Sequence, residues 1–164
     1  MIVPVTSFFS GILGLMYMVL SFLVVRQRRK LGVSIGDGVE RNLKVVYEIA
    51  TSNNSSAPYS WAQMTEKFAP LSQAIRTHAN FAEYVPFSLL MLGLLELNRS
   101  VAHITLVYLG TVLVLSRILH FLGLYTVARV GPNLFRFLGA LSSFLLLGTL
   151  AALLIFSSPL PSFL

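Results

Sequence analysis

The sequence predicts an all-α integral membrane protein, a bundle of four transmembrane helices in one domain spanning residues 1–164. Three observations carry this. Hydrophobic residues make up 55% of the 164 and charged residues only 11%, with mean hydropathy +0.78. Soluble domains carry about 25% charged residues, so a soluble, disordered or disulfide-stapled chain is excluded. The apolar residues fall into four runs, and roughly 20 residues are enough to cross an ~30 Å hydrocarbon core. Most of the charged residues fall between the runs.

The first span runs from Pro4 to Val25, is uncharged, and ends at Arg26, Arg28, Arg29 and Lys30. In a signal peptide the charges precede the apolar run, so this reads as a retained helix. The second span, Leu71 to Leu97, has an apolar second half, Val85 to Leu95, and a first half carrying Arg76, His78, Asn80 and Glu83. The third, Val101 to Tyr125, holds Arg117 and His120 near its end. The fourth, Pro132 to Phe156, follows a Gly131-Pro132 turn, with proline suited to a first helical turn.

Between the first two spans lies a loop, residues 26–70, with an insertion over about 40–70. Gly36-Asp37-Gly38 signals a tight turn, and Thr51 to Pro58 is polar and breaks helices. Arg41 to Ala50 reads as a short helix, and Trp61 to Phe68 as a segment on the membrane interface. This loop holds seven of the basic residues: Arg26, Arg28, Arg29, Lys30, Arg41, Lys44 and Lys67. The second turn holds Arg99 and the third Arg129. The positive-inside rule therefore puts the first loop in the cytoplasm and both termini on the opposite side. The net charge of +6 and pI near 10.1 report topology, and nucleic acid is not an expected partner.

Charge at membrane depth costs at least about 2.5 kcal/mol per group, so each instance needs a reason. Four positions qualify: Arg76, Glu83, Arg117 and Arg136. Arg76, Asn80 and Glu83 stand at i, i+4 and i+7, within about 60° on one helical face. Arg117 and His120, at i and i+3, share another. His78 lies about 160° around its helix from Arg76. The structural reading has the arginines snorkelling to the headgroups and Asn80 and Glu83 bonding between helices. The functional reading turns both stripes into one polar cavity, with Arg76 or Arg117 partnering Glu83. Three arginines against one carboxylate leave such a cavity cationic, suited to a carboxylate-bearing ligand. Three scattered histidines and no cysteine give no zinc-ligand spacing, so no metal is expected. Phosphate-binding and nucleophile-elbow motifs are absent.

The run Arg76-Thr-His-Ala-Asn80-Phe-Ala-Glu83-Tyr84-Val-Pro86 resembles the second-helix signature of the MAPEG family, the membrane-associated proteins in eicosanoid and glutathione metabolism. The arginine cluster, Val33 to Gly38, and Ser116-Arg117-Ile118-Leu119-His120-Phe121-Leu122-Gly123 fall in the family's order, with a bacterial-type wording. The resemblance implies a homotrimer that binds glutathione as co-substrate between subunits and takes a lipophilic electrophile or peroxide from the bilayer. Arg28, Arg76, His78, Asn80, Glu83, Tyr84, Arg117, His120 and Tyr125 are implied to bind the tripeptide. Arg136 and Arg29 are implied to stabilise its thiolate, with Arg129 competing for the place of Arg136.

Leu124 departs from the pattern, standing where part of the family has a tyrosine. The expected function is thus a membrane glutathione transferase or peroxidase in lipid metabolism or detoxification. The alternative is a non-catalytic lipid-binding or scaffold protein of the same fold. A transporter is disfavoured because the fourth span has no polar stripe beyond Arg136, Ser142 and Ser143. The expected location is an inner membrane in a bacterium, or an internal membrane such as the endoplasmic reticulum in a eukaryote.

Overall fold

The computed structural model describes residues 2–36, 61–125 and 133–157, with backbone alone for 61–65, 124 and 125. The described residues form helices α1 (Pro4–Leu31), α2 (Trp61–Leu97), α3 (His103–Tyr125) and α4 (Leu134–Ser157). Each is long and apolar enough to cross a membrane. The short helix expected over Arg41–Ala50, the polar stretch Thr51–Pro58 and Arg129 lie outside the described residues.

Helix α1 starts at Pro4, whose missing N–H costs nothing in a first turn. It runs past Val25 through the basic cluster, because Arg28, Arg29 and Lys30 favour the negative end of the helix dipole. Gly32 stops it in the left-handed region (φ 64°), where its N–H reaches Arg29 O and Val33 N–H reaches Arg28 O.

Helix α2 begins at Trp61, ten residues before the expected Leu71, so the segment expected on the interface is the start of this helix. Pro70 and Pro86 lie inside it. Each removes one backbone donor, and Pro70 does so near the helix's polar start, where water can serve the freed carbonyl. At 37 residues the helix is about 55 Å long, so its first turns extend past an ~30 Å core.

Helix α1 lacks a side-chain cap of its own at Val3. Glu96, in the last turn of α2, supplies one. Its two carboxylate oxygens accept the backbone N–H groups of Val5 and Thr6, at 2.8 Å each. Glu96 is buried, and the charge is stabilised by α1's orphan donors and helix dipole. Glu96 thus joins Arg76, Glu83, Arg117 and Arg136 as a charge within the spans. At the start of α4, Asn133 is the N-cap: its Oδ1 accepts from Phe135 N–H, and its Nδ2 donates to Gly123 O of α3. The expected Pro132 start is thereby moved to Leu134.

The core joins Phe9, Leu13 and Leu20 of α1 to Phe81, Leu92 and Leu95 of α2, Leu109 and Leu113 of α3, and Leu146 and Leu150 of α4. Large apolar side chains such as Phe8, Leu15, Met18, Phe22, Phe137 and Leu145 point outward, as in a lipid-facing bundle. Helices α3 and α4 meet backbone to backbone at two glycines. A Cβ on Gly123 would strike Arg136 backbone, and one on Gly139 would lie 2.6 Å from His120 N. Small residues allow this close approach in lipid, where packing replaces the hydrophobic drive.

Gly139→Ala is therefore expected to destabilise the bundle by about 1–3 kcal/mol, as overpacking does. Gly148→Ala, on open space in the same helix, should be neutral or mildly stabilising. Unfolding midpoints of the two variants in detergent check this. Equal effects would refute the close approach.

Candidate functional site

The polar stripe of α2 and the Arg117 turn of α3 meet inside the bundle. Arg117 is only 3% exposed. Its NH1 donates to Asn80 Oδ1 at 3.1 Å, and its Nε faces Ser116 Oγ at a long 3.4 Å. Its guanidinium carbon stands 5.5 Å from the centroid of the Tyr84 ring, within cation–π range. Phe144 of α4 meets the same ring edge-on at 5.6 Å. Among the described residues no carboxylate pairs with Arg117, so its immediate partners are an amide, a hydroxyl and an aromatic face.

Beside this cluster a small cavity of about 10 Å³, partly open to the surface and with room for about one water, is lined by Leu20, Thr77, Asn80, Phe81, Arg117, His120 and Phe121. His120 is buried, and its Nδ1 has no hydrogen-bond partner. The cavity thus offers a cation, an imidazole and an amide between apolar walls. Among the described residues no three His, Cys, Asp or Glu side chains are grouped to hold a metal.

The expected residues separate into groups. Asn80, Tyr84, Arg117 and His120 come together. Arg76 and Glu83 share the α2 face but are exposed on the single subunit. The expected pairing of Glu83 with Arg76 or Arg117 is not made: Arg117 turns to Asn80 instead. His78 faces α1, where Nε2 lies 3.0 Å from Ser21 Oγ. Arg28 and exposed Arg29 stand in the last turn of α1, and Arg28 donates to Ser34 O at 2.8 Å. Arg136, in the first turn of α4, has an exposed side chain and a backbone packed beside Gly123. The side chains of Tyr125 and Leu124 lie outside those described.

Sequence reasoning missed Thr77 and Ser116, both buried, and Tyr17 and Ser21 on the α1 side. Ser116 had a signal, standing next to the one arginine of the third span. Ser21 had a weaker one, at i+4 from Tyr17.

Removing one partner of a buried charge costs more than removing both. Asn80→Leu should lower stability by about 1–3 kcal/mol, and the double variant Asn80→Leu with Arg117→Leu should recover most of that loss. Unfolding in detergent measures both. A double variant no better than the single one would show that the pair does not act as a unit.

Comparison with known proteins gives the family. Residues 6–156 match the MAPEG family. The chain is 27% identical over 124 residues to inner membrane protein YecN of Escherichia coli K12, covering 74% of this chain and 70% of that protein. The same protein from an Escherichia coli O6:H1 strain gives equal figures. No solved structure matches the chain. The four spanning helices and the match over nearly the whole chain place it, as a multi-pass integral membrane protein, in the MAPEG family.

Proposed function

We propose that the chain is a membrane-bound glutathione-dependent transferase or peroxidase acting on lipophilic electrophiles or lipid hydroperoxides. The observation that carries this reading is the α2–α3 cluster, where a buried guanidinium has neutral partners only. A buried cation without a counter-charge is unfavourable unless an anion completes the site. Glutathione supplies two carboxylates and a thiol, which also suits a chain without cysteine.

Arg76 and Glu83 support the same reading. They sit on the cluster's face of α2, exposed at a depth where hydrocarbon would otherwise surround them. A second copy of the chain would cover them, so the site is built between subunits of a homotrimer. Glutathione lies there toward the cytoplasmic side, with the basic first loop in the cytoplasm and both termini opposite. Arg28, His78, Tyr84, His120 and Tyr125 complete its binding set.

The chemistry needs a thiolate. A free thiol has a pKa near 8.5, and a nearby guanidinium lowers it by favouring the anion. Lowering it by two units takes about 2.7 kcal/mol, within reach of one or two partly desolvated arginines. Arg136 and Arg29 fill this role: both are exposed at helix ends, and neither has a carboxylate partner among the described residues. The thiolate then displaces a leaving group from an electrophile, or attacks the terminal oxygen of a hydroperoxide. That attack breaks the O–O bond, so that the alkoxide leaves, takes a proton and departs as the alcohol. The glutathione sulfenic acid formed reacts with a second glutathione to give the disulfide and water. Leu124 at the tyrosine position favours a second reading, a lipid-binding or scaffold protein that uses the same fold without turnover.

Two experiments test this. Glu83→Gln should weaken glutathione binding several-fold in a correctly assembled protein, and unchanged affinity would reassign Glu83 to packing. Bound glutathione should show thiolate absorbance near 240 nm at neutral pH in wild type. Arg136→Lys or Arg29→Lys should raise the thiol pKa and slow turnover, because the planar fork is lost. A wild-type thiol that titrates as in free solution would leave the lipid-binding reading in its place.

A further inference from the structure

Helix α4 reaches the Arg117 cluster through Phe144. The buried face of α4 runs along Gly139, Ser143, Leu146 and Leu150, at i, i+4, i+7 and i+11. Phe144 stands next to that face and is 56% exposed, so its ring has the cluster on one side and the outside of the bundle on the other. Gly139 sets how near α4 comes, because the helix packs there against the backbone of His120. The Phe144 ring meets the Tyr84 ring at 5.6 Å between centroids, with the planes crossing at 75°. The Arg117 guanidinium carbon lies 5.5 Å from the centroid of that same Tyr84 ring.

A cation is drawn to an aromatic face and not to its edge, because the quadrupole is negative on the face and positive at the rim. The contact of Tyr84 with Arg117 therefore lasts only while the ring keeps its orientation. Rotation about the bond that carries the ring is loosely restricted in a tyrosine. Two hydrogen bonds nearby do not restrain it. Asn80 holds the guanidinium, and Ser88 donates to the main-chain carbonyl of Tyr84. Tyr84 is half-buried and lies thirteen residues, or about 20 Å, along α2 from Leu97. At that depth in an ~30 Å core, a guanidinium that loses the ring face has hydrocarbon for a neighbour. The edge-on contact with Phe144 opposes the rotation, since such a pair favours its arrangement by roughly two- to ten-fold.

We propose that Phe144 is a positioning residue of the anion site: it holds the Tyr84 face against Arg117, and so keeps the guanidinium in the orientation that a ligand carboxylate meets. Phe144 has no polar atom, so its part in binding passes through Tyr84. The role needs an aromatic ring. Leucine at this position fills much of the space but has no quadrupole, and leaves Tyr84 free to turn. The proposal draws α4 into a site otherwise built from α2 and α3. It rests on the reading of that site as one for glutathione.

The test uses the full chain in nanodiscs. Equilibrium dialysis of labelled glutathione should show Phe144→Leu binding roughly three- to ten-fold more weakly than wild type, the worth of one aromatic pair. Phe144→Tyr, which keeps the ring, should restore binding to within about two-fold. In a Tyr84→Leu background, Phe144→Leu should cause no further loss, because the two act as a unit. Solid-state NMR of arginine-labelled protein reads the same geometry without glutathione. The Tyr84 ring current displaces the Arg117 side-chain signal, and Phe144→Leu should move that signal toward its position in Tyr84→Leu. Wild-type affinity in Phe144→Leu, a loss that persists undiminished in the Tyr84→Leu background, or an unmoved Arg117 signal would overturn the proposal. A chain whose Arg117 signal moves as expected but which binds no glutathione would uphold the positioning by Phe144 and refute the transferase reading.

Discussion

The buried guanidinium of Arg117 constrains the rest of the structure most. A cation inside a membrane bundle must be solvated by the protein, because lipid offers nothing. Asn80 and the Tyr84 face do this from α2, which fixes the register of α2 against α3. Tyr84 in turn meets Phe144 of α4, and the glycines at 123 and 139 let α4 approach closely enough for that contact. A one-residue slip in any of these helices would rotate Arg117's partners away from it.

A second polar contact holds the other end of the bundle. Glu96 gives both oxygens to the first turn of α1, so the last turn of α2 completes a helix that has no cap of its own. Between these two contacts the core is leucine, valine, phenylalanine and Met91. In lipid such side chains gain little from mutual burial beyond close packing, so the polar contacts specify which faces meet. They also leave α1 as the wall shared by the Arg117 cavity, through Leu20, and the His78 group, through Ser21.

Much of this was legible in the sequence, for identifiable reasons. Four apolar runs gave the spans because hydrocarbon thickness sets their length. The i, i+4, i+7 spacing gave the polar face of α2 because helical geometry fixes it. The helix ends were less legible. Arg28 to Lys30 look like a loop by polarity but extend α1, and Pro70 looks like a breaker but is carried inside α2. Partner choice was legible only in part. By charge Glu83 is the natural mate of an arginine, yet Arg117 reaches Asn80, one turn earlier on α2. Glu96 was overlooked because its partners are backbone amides some ninety residues away, which leave no mark in side-chain patterns.

The central claim is that the neutral solvation of Arg117 leaves its charge for an anionic ligand. Equilibrium dialysis of labelled glutathione tests it most directly, against wild type and the variant with leucine at both position 80 and position 117, each in nanodiscs. The account predicts saturable binding by wild type and none by the variant, with helix content and oligomer size unchanged. Wild-type affinity in a folded, assembled variant would contradict it.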